Sequence, residues 1–259
     1  SLLDGDDYHE TNNEVPSPVP PGIRDLNNES FFEYGSRVGV WRLLDLFDRH
    51  QVKTTFYCCA LALERNREVA SEIVARGHEI CGHGYRWEEY HSANEDEEWE
   101  SIKKTIASLE QTTGQRPVGW FTRYGPSINT RQLVAAEGGF IYDSMAMNDD
   151  LPHYVAVQGK AWLVVPYSFE TNDARFWRGG LVSVNDFYEY LKDAFDCLYE
   201  EGKTHPKMMS VGLHCRITGT PARSRAVARF LKYANGFDGV WFARRDEIAR
   251  WWLEHYKSN

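Results

Sequence analysis

The sequence predicts an α/β fold built on a parallel sheet, and three observations carry that prediction. Seven short apolar or β-branched runs alternate with longer runs of helical periodicity along the 259 residues. Neither a linker nor an internal repeat interrupts the alternation, so a single domain over residues 1–259 is expected. His, Arg, Asp and Asn collect in the segments just past the apolar runs, where parallel α/β folds place their chemistry. An open doubly wound sheet and a barrel both satisfy this alternation, and seven strands favour the barrel.

The elements follow in order. Residues 1–30 are rich in Asp, Asn, Glu and Pro, with Pro16, Pro18, Pro20 and Pro21 close together, which predicts an irregular segment lying over the rest. Val38, Trp41, Leu44 and Phe47 recur at helical spacing, and Thr54 to Cys59 reads as the first strand. Residues 61–76 predict a helix stopped by Gly77, followed by a short strand from His78 to Cys81. Trp99, Ile102, Ile106 and Leu109 mark a helix ended by Gly114, before a strand from Val118 to Thr122. Further strands are expected at Phe140–Tyr142, Trp162–Val165, Met208–Leu213 and Val240–Phe242, and further helices at 129–137, 184–201, 221–234 and 245–256.

Composition narrows the function. With 42% hydrophobic and 26% charged residues, the chain is long enough to bury a sizeable core without metals or disulfides. Its 38 acidic against 29 basic residues give a formal charge of -9, which disfavours nucleic acid and anionic membranes as partners and suits a small neutral substrate. Five cysteines without a CxxC pair indicate neither a disulfide framework nor a zinc knuckle. No run approaches 18 apolar residues and no signal peptide is recognisable, so a cytoplasmic location is expected. A Gly-rich phosphate loop and a Gly-x-Ser-x-Gly elbow are both missing, and no cofactor is expected.

Two predicted strand ends stand out. His83, between Gly82 and Gly84, has a backbone free to place its imidazole in a cleft; a structural hydrogen bond to a neighbouring loop is the competing role. Gly212-Leu213-His214-Cys215-Arg216 is the second. Amide hydrolysis needs a proton delivered to the departing nitrogen, which suits His214 as general acid. Arg216 is placed to stabilise an oxyanion, with a salt bridge to a loop carboxylate as the alternative. Cys215 is set aside as a nucleophile because neighbours on a strand point to opposite faces. The remaining candidates are expected to bind substrate: Trp87 and Glu88, Arg123, Asp143, Asp149, and Asn172 with Asp173. Asn and Asp in such loops also bond their own backbone, and that reading stays open for the 148–152 and 171–176 segments.

These motifs together resemble a known family. His-Gly-Tyr-Arg-Trp-Glu-Glu-Tyr at 83–90, Arg-Pro-Val-Gly-Trp-Phe-Thr at 116–122 and Gly-Leu-His-Cys-Arg at 212–216 are similar, in order, to the polysaccharide deacetylase superfamily (NodB homology, carbohydrate esterase family 4). Glu33-Tyr34-Gly35-Ser36-Arg37, Tyr142-Asp143-Ser144, Asp149-Asp150-Leu151-Pro152 and Thr171-Asn172-Asp173-Ala174-Arg175-Phe176 look like its metal-independent allantoinase and cyclic imide hydrolase branch. The resemblance implies a deformed, open (β/α)7-type barrel. It further implies hydrolysis of a cyclic ureide or imide, a place in purine catabolism, and a homo-oligomer such as a tetramer.

Two departures from the wider superfamily shape the expectation. Metal-dependent members hold a divalent ion with an Asp and two His four positions apart, and here the position four past His83 is Trp87, which cannot ligate a metal. The superfamily's first strand, whose end carries an acidic catalytic residue, precedes the segment that Ser1–Glu14 resembles, so a barrel lacking its first strand is expected. Glu88, Glu89 and Asp143 are then second choices for the general base. Two alternatives to ring opening are an N-deacetylase of chitin or peptidoglycan oligosaccharides, and an inactive family member serving as a binding or assembly subunit.

Overall fold

The computed structural model describes residues 19–20, 23–123 and 125–257. It contains two compact units, each assembled from two stretches of chain: one from the stretch ending at Gln51 with Ser168–Trp241, the other from Val52–Tyr167 with the stretch starting at Phe242.

The second unit holds the sheet. Strands β1 (Thr55–Cys58), β2 (Glu79–Gly82), β3 (Gly119–Trp120), β4 (Tyr142–Asp143), β5 (His153–Val157) and β6 (Lys160–Val164) lie in the order β1-β2-β3-β4-β6-β5. All neighbours are parallel except β5 and β6, which pair antiparallel. The sheet is therefore mixed and not closed, with β1 and β5 at its edges. Five of the seven expected strands coincide with these. The sixth, β5, was not expected; Gln158 and Gly159 both have positive φ, 49° and 76°, and form the two-residue turn that folds β5 back onto β6.

Helices α3 (Ala60–Arg65) and α4 (Arg67–Ala75) take the place of one predicted helix. Asn66 divides them because it leaves helical geometry and its side chain accepts from the Val69 N–H, starting a new helix. Helix α5 (Glu95–Thr113) opens on a capping box between Asn94 and Glu97 and stops at Gly114, whose φ of 70° ends the helix. Helix α6 (Thr130–Glu137) packs beside α5. Ile102 and Ile106 of α5, Leu133 and Val134 of α6, Trp120 and Phe140 form one buried cluster there. Each such side chain, fully buried, contributes roughly 1.5–3 kcal/mol.

The C-terminal helix of this unit (Arg245–His255, α10 in chain order) is tied to the sheet by polar groups that the sequence did not single out. Buried Arg245 donates to Ser144 Oγ and to the carbonyls of Val165 and Pro166. Buried Glu79 accepts from Thr55 Oγ1, Tyr142 OH and the Asp246 N–H. Burial, with the Asp246 charge beside it, pushes the Glu79 carboxyl up.

In the other unit, α1 (Leu26–Tyr34) runs through a π-helical turn (Gly35–Gly39) into α2 (Val40–Arg49). Asp25 caps α1 through its side chain, which accepts from the N–H groups of Asn27 and Asn28. Residues 26–30 are thus helical rather than irregular, because the Asp25 cap and the helix-forming Leu26–Tyr34 outweigh the polar composition. The covering role expected of the N-terminal segment falls, for residues 1–18, 21 and 22, outside the described residues. The chain then forms α7 (Arg175–Arg178), α8 (Val184–Glu201) and α9 (Pro221–Ala234). Phe187, Leu191 and Phe195 of α8 are buried, as are Val227, Phe230 and Leu231 of α9, and the Phe195 and Phe230 rings meet edge to face.

Two expected strands do not form. Met208–Leu213 makes one isolated bridge, between Asn172 and Gly212. Its neighbour cannot extend the ladder, because Asn172 Oδ1 accepts from the Ala174 N–H and turns that segment away. Val240–Phe242 carries no ladder among the described residues. No helix of the described residues is long and apolar enough to cross a membrane.

Candidate functional site

His214 and Asp173 meet within one unit. Gly212 holds the two segments in register through its bridge with Asn172: the Asp173 N–H donates to the Gly212 carbonyl, and the Gly212 N–H to that of Thr171. Just beyond, the chain folds into a tight turn, with the Ile217 and Thr218 N–H groups donating to the His214 carbonyl at 2.8 and 3.0 Å. His214 Nδ1 lies 2.6 Å from Asp173 Oδ1, while Asp173 Oδ2 accepts from the His214 N–H at 2.8 Å. A carboxylate only accepts, so Nδ1 carries the hydrogen and Nε2 is the nitrogen left to exchange a proton. Asp173 is fully buried and the His214 side chain is 26% exposed, an arrangement that shields the orienting group and leaves the imidazole edge accessible. Asp173, expected on the substrate, spends its oxygens on His214 and Thr218 instead.

The turn that carries His214 rests on the π-helical turn. A Cβ on Gly39 would lie 2.0 Å from the Cys215 carbonyl oxygen, and one on Gly35 would lie 2.9 Å from the Arg216 nitrogen. Backbone therefore packs directly on backbone, which a side chain at either position would prevent. The π turn shifts the helix register where it meets 215–219, in keeping with the placement of such turns at functional sites. Arg42 donates to the Gly219 carbonyl and, at 2.8 Å, to Tyr34 OH, tying the two turns together. The Arg216 guanidinium sits 4.5 Å over the Phe32 ring, a cation–π contact that orients it.

Cys215 belongs to this turn and not to a strand, so the argument from alternating strand faces does not apply to it. Burial and the Asp173 charge push its thiol up to about 11. At pH 8 roughly one thiol in a thousand is ionised. Iodoacetamide at that pH is expected to leave Cys215 unmodified and turnover unchanged, and labelling that reaches Cys215 within minutes, read by peptide mass, would contradict the assignment.

In the other unit, His83 follows β2. Its Nδ1 donates to the Phe121 carbonyl, and its ring stacks on the Phe121 ring at 5.4 Å and 8°. Tyr57 and Tyr167 extend the aromatic group, at 4.8 and 4.9 Å from Phe121. The hydrogen bond expected as the structural alternative for His83 is therefore present, and it presets the tautomer for any use of Nε2.

Arg123, 6% exposed, lies beside the 83–91 loop. It donates to the Trp87 carbonyl at 3.1 Å, its guanidinium sits 4.0 Å over the Trp87 ring, and Glu89 is 3.6 Å away. Trp87, four residues past His83, is thus clamped on both its ring and its carbonyl by Arg123. Among the described residues, no three His, Cys, Asp or Glu side chains converge on a point where they could hold a metal ion.

The remaining candidates are tied to protein groups. Glu88 lies 3.6 Å from Arg86. Asp143 is fully buried and accepts from Arg131 at 2.8 and 3.2 Å, from Trp162 Nε1 at 2.7 Å and from the Met145 N–H at 2.7 Å. These four donors fill a carboxylate's acceptor positions, so Asp143 secures the end of β4 and has no capacity left for a ring or a water. Asp149 accepts from the Leu151 N–H and Asn172 from the Ala174 N–H, the backbone-turn role weighed for both loops.

Sequence reasoning missed Phe32, Gly39, Phe121 and Thr218. Gly35 and Gly39, spaced four apart in a run of helical periodicity, were the available signal.

A polysaccharide deacetylase family profile matches residues 30–142. A Schizosaccharomyces pombe protein that carries a polysaccharide deacetylase name is 38% identical over 256 residues, covering 92% of this chain and 79% of that protein. A crystal structure from Pseudomonas aeruginosa PAO1, also named as a polysaccharide deacetylase, is 50% identical with a TM-score of 0.90, over 95% of this chain and 82% of that one. The crystal structure of Puue allantoinase is 48% identical with a TM-score of 0.89, over 93% of this chain and 82% of that one.

Proposed function

The chain belongs to the polysaccharide deacetylase family, whose members hydrolyse C–N bonds, and on that premise we propose that it opens a cyclic ureide or imide ring, as an allantoinase does, without a divalent ion. The observation that carries this reading is Trp87, clamped by Arg123 where a metal-dependent deacetylase needs a histidine. The 48% identity with Puue allantoinase supports it.

In this reading a carboxylate takes a proton from water, and the water oxygen adds to the ring carbonyl carbon. Arg216, held over Phe32, stabilises the resulting oxyanion. As the C–N bond breaks, the electron pair goes to nitrogen, and the proton taken from water reaches that nitrogen by way of Nε2 of His214, with Asp173 holding the imidazole in place through Nδ1–H. The substrate is small and neutral, consistent with a chain of formal charge -9.

A second reading has specific support: the relatives from S. pombe and P. aeruginosa carry polysaccharide deacetylase names, which point to acetamide hydrolysis on a sugar polymer. One experiment separates the two. The purified chain is assayed on allantoin, succinimide and N-acetylglucosamine oligomers, before and after chelation. Ring opening that survives the chelator is expected. Acetate release without ring opening would overturn the proposal in favour of the second reading, and no turnover of any of the three would overturn both.

A further inference from the structure

Asp173 uses its two oxygens unequally. Oδ1 receives His214 Nδ1 at 2.6 Å. Oδ2 receives three: the His214 N–H at 2.8 Å, the Thr218 N–H at 3.2 Å and the Thr218 hydroxyl at 2.8 Å. Thr218 comes four residues after His214, and the turn between them brings both of its donors back to the same oxygen. Its hydroxyl has a single hydrogen. The alternative acceptor, the His214 carbonyl, is 3.5 Å away, so the carboxylate takes it. Both Thr218 and Asp173 are fully buried, and no solvent replaces that hydrogen bond if it is lost.

We propose that Thr218 is a positioning residue for His214: its hydroxyl anchors Oδ2 of Asp173, so that Oδ1 alone meets the imidazole and Nε2 is held as the proton-exchanging nitrogen. A carboxylate turns about two torsions, and the two N–H donors on Oδ2 both come from the turn's own backbone, leaving the hydroxyl as the one side-chain anchor on that oxygen. This inference rests on His214 as the proton donor of the proposed reaction, and it adds how that donor is kept in register.

The test compares Thr218→Val, which keeps the side-chain shape and removes the hydroxyl, with Thr218→Ser, which keeps the hydroxyl and removes the methyl. Thr218→Val is expected to lower kcat about tenfold with KM unchanged, the scale for losing a hydrogen bond to a buried charged group, while Thr218→Ser stays near wild type. The low-field proton resonance of His214 Nδ1–H, read by NMR on the substrate-free chain, is expected to move in Thr218→Val and to stay in Thr218→Ser. Should the valine variant fail to fold by circular dichroism, Thr218→Ala takes its place. An unchanged resonance in the folded hydroxyl-less variant, or a serine variant as impaired as the valine one, would overturn the proposal. Because the resonance is measured without substrate, a chain that opens no ring would sink the ring-opening reading while the resonance still decides the role of Thr218.

Discussion

Replacing His214 with glutamine is expected to lower turnover of the ring substrate by about two to four orders of magnitude, the contribution of a positioned general acid, with little change in melting temperature. The geometry explains both halves of that result. Glutamine can offer an amide N–H towards Asp173, which keeps the buried carboxylate partnered and the 214–219 turn in place. It has no proton to give at the far end of the side chain, so the departing nitrogen leaves as an unprotonated anion. Asp173→Asn is expected to fall by a comparable amount for a different reason: an asparagine NH2 facing Nδ1 favours the opposite tautomer, with the hydrogen fixed on Nε2, which can then no longer take up the proton it passes to the departing nitrogen. Measured kcat and thermal melting of the two variants settle the assignment. A folded His214→Gln that keeps more than about a tenth of wild-type turnover would remove His214 from the role.

The sheet was largely legible because its strands are short apolar, β-branched or aromatic runs, as at Thr55–Cys58, or short segments between glycines, as at Glu79–Gly82 after Gly77. Strand β5 escaped because its residues are half exposed and follow an Asp- and Pro-rich loop; Gln158-Gly159 was a hairpin signal of the right length but without the Asn or Asp that usually marks one. Met208–Leu213 misled in the other direction. Its residues have strand character, but a strand exists only where a neighbour supplies a ladder, and the Asn172 side chain ends that ladder after one bridge.

The site was legible at its ends and not in its supports. His83 and His214 follow from the rule that chemistry gathers past the strands. Asp173 appeared only as one polar loop residue among several, since the 41 residues separating it from His214 hide their contact from any local pattern. A turn brings the Thr218 hydroxyl to Asp173, and Phe121 holds His83 through its carbonyl; neither placement shows in a local sequence pattern. Asp143 shows the converse. A carboxylate at a strand end reads as functional in sequence, and only the position of Arg131 and Trp162 shows that its acceptors are taken.

Gly39→Ala is expected to destabilise its unit by about 3 kcal/mol and to cut activity with it, against what helix propensity alone would give. Gly39 has φ -65° and ψ -41°, ordinary right-handed helical values, so alanine is conformationally welcome and would add about 0.5–1 kcal/mol through reduced chain entropy. The opposing effect is steric. The new methyl would sit 2.0 Å from the Cys215 carbonyl oxygen and 2.9 Å from its carbonyl carbon, and these are backbone atoms that cannot rotate aside as a flexible side chain does. Relief requires the π turn and the 214–219 turn to separate. Gly219 makes the same approach from the other side, since a Cβ there would come within 2.5 Å of Gly39 Cα. Separation breaks the Arg42 hydrogen bond to Gly219 and moves the segment that carries His214, so stability and turnover fall together. Denaturant midpoints and kcat measured on Gly39→Ala check this, with Gly114→Ala as the contrast: that residue has φ 70° and nothing within 4 Å of the added methyl, so its cost is backbone strain without a clash. If Gly39→Ala were as stable as the parent chain, the propensity term would have won, and the backbone contact could not be what holds the His214 turn in place.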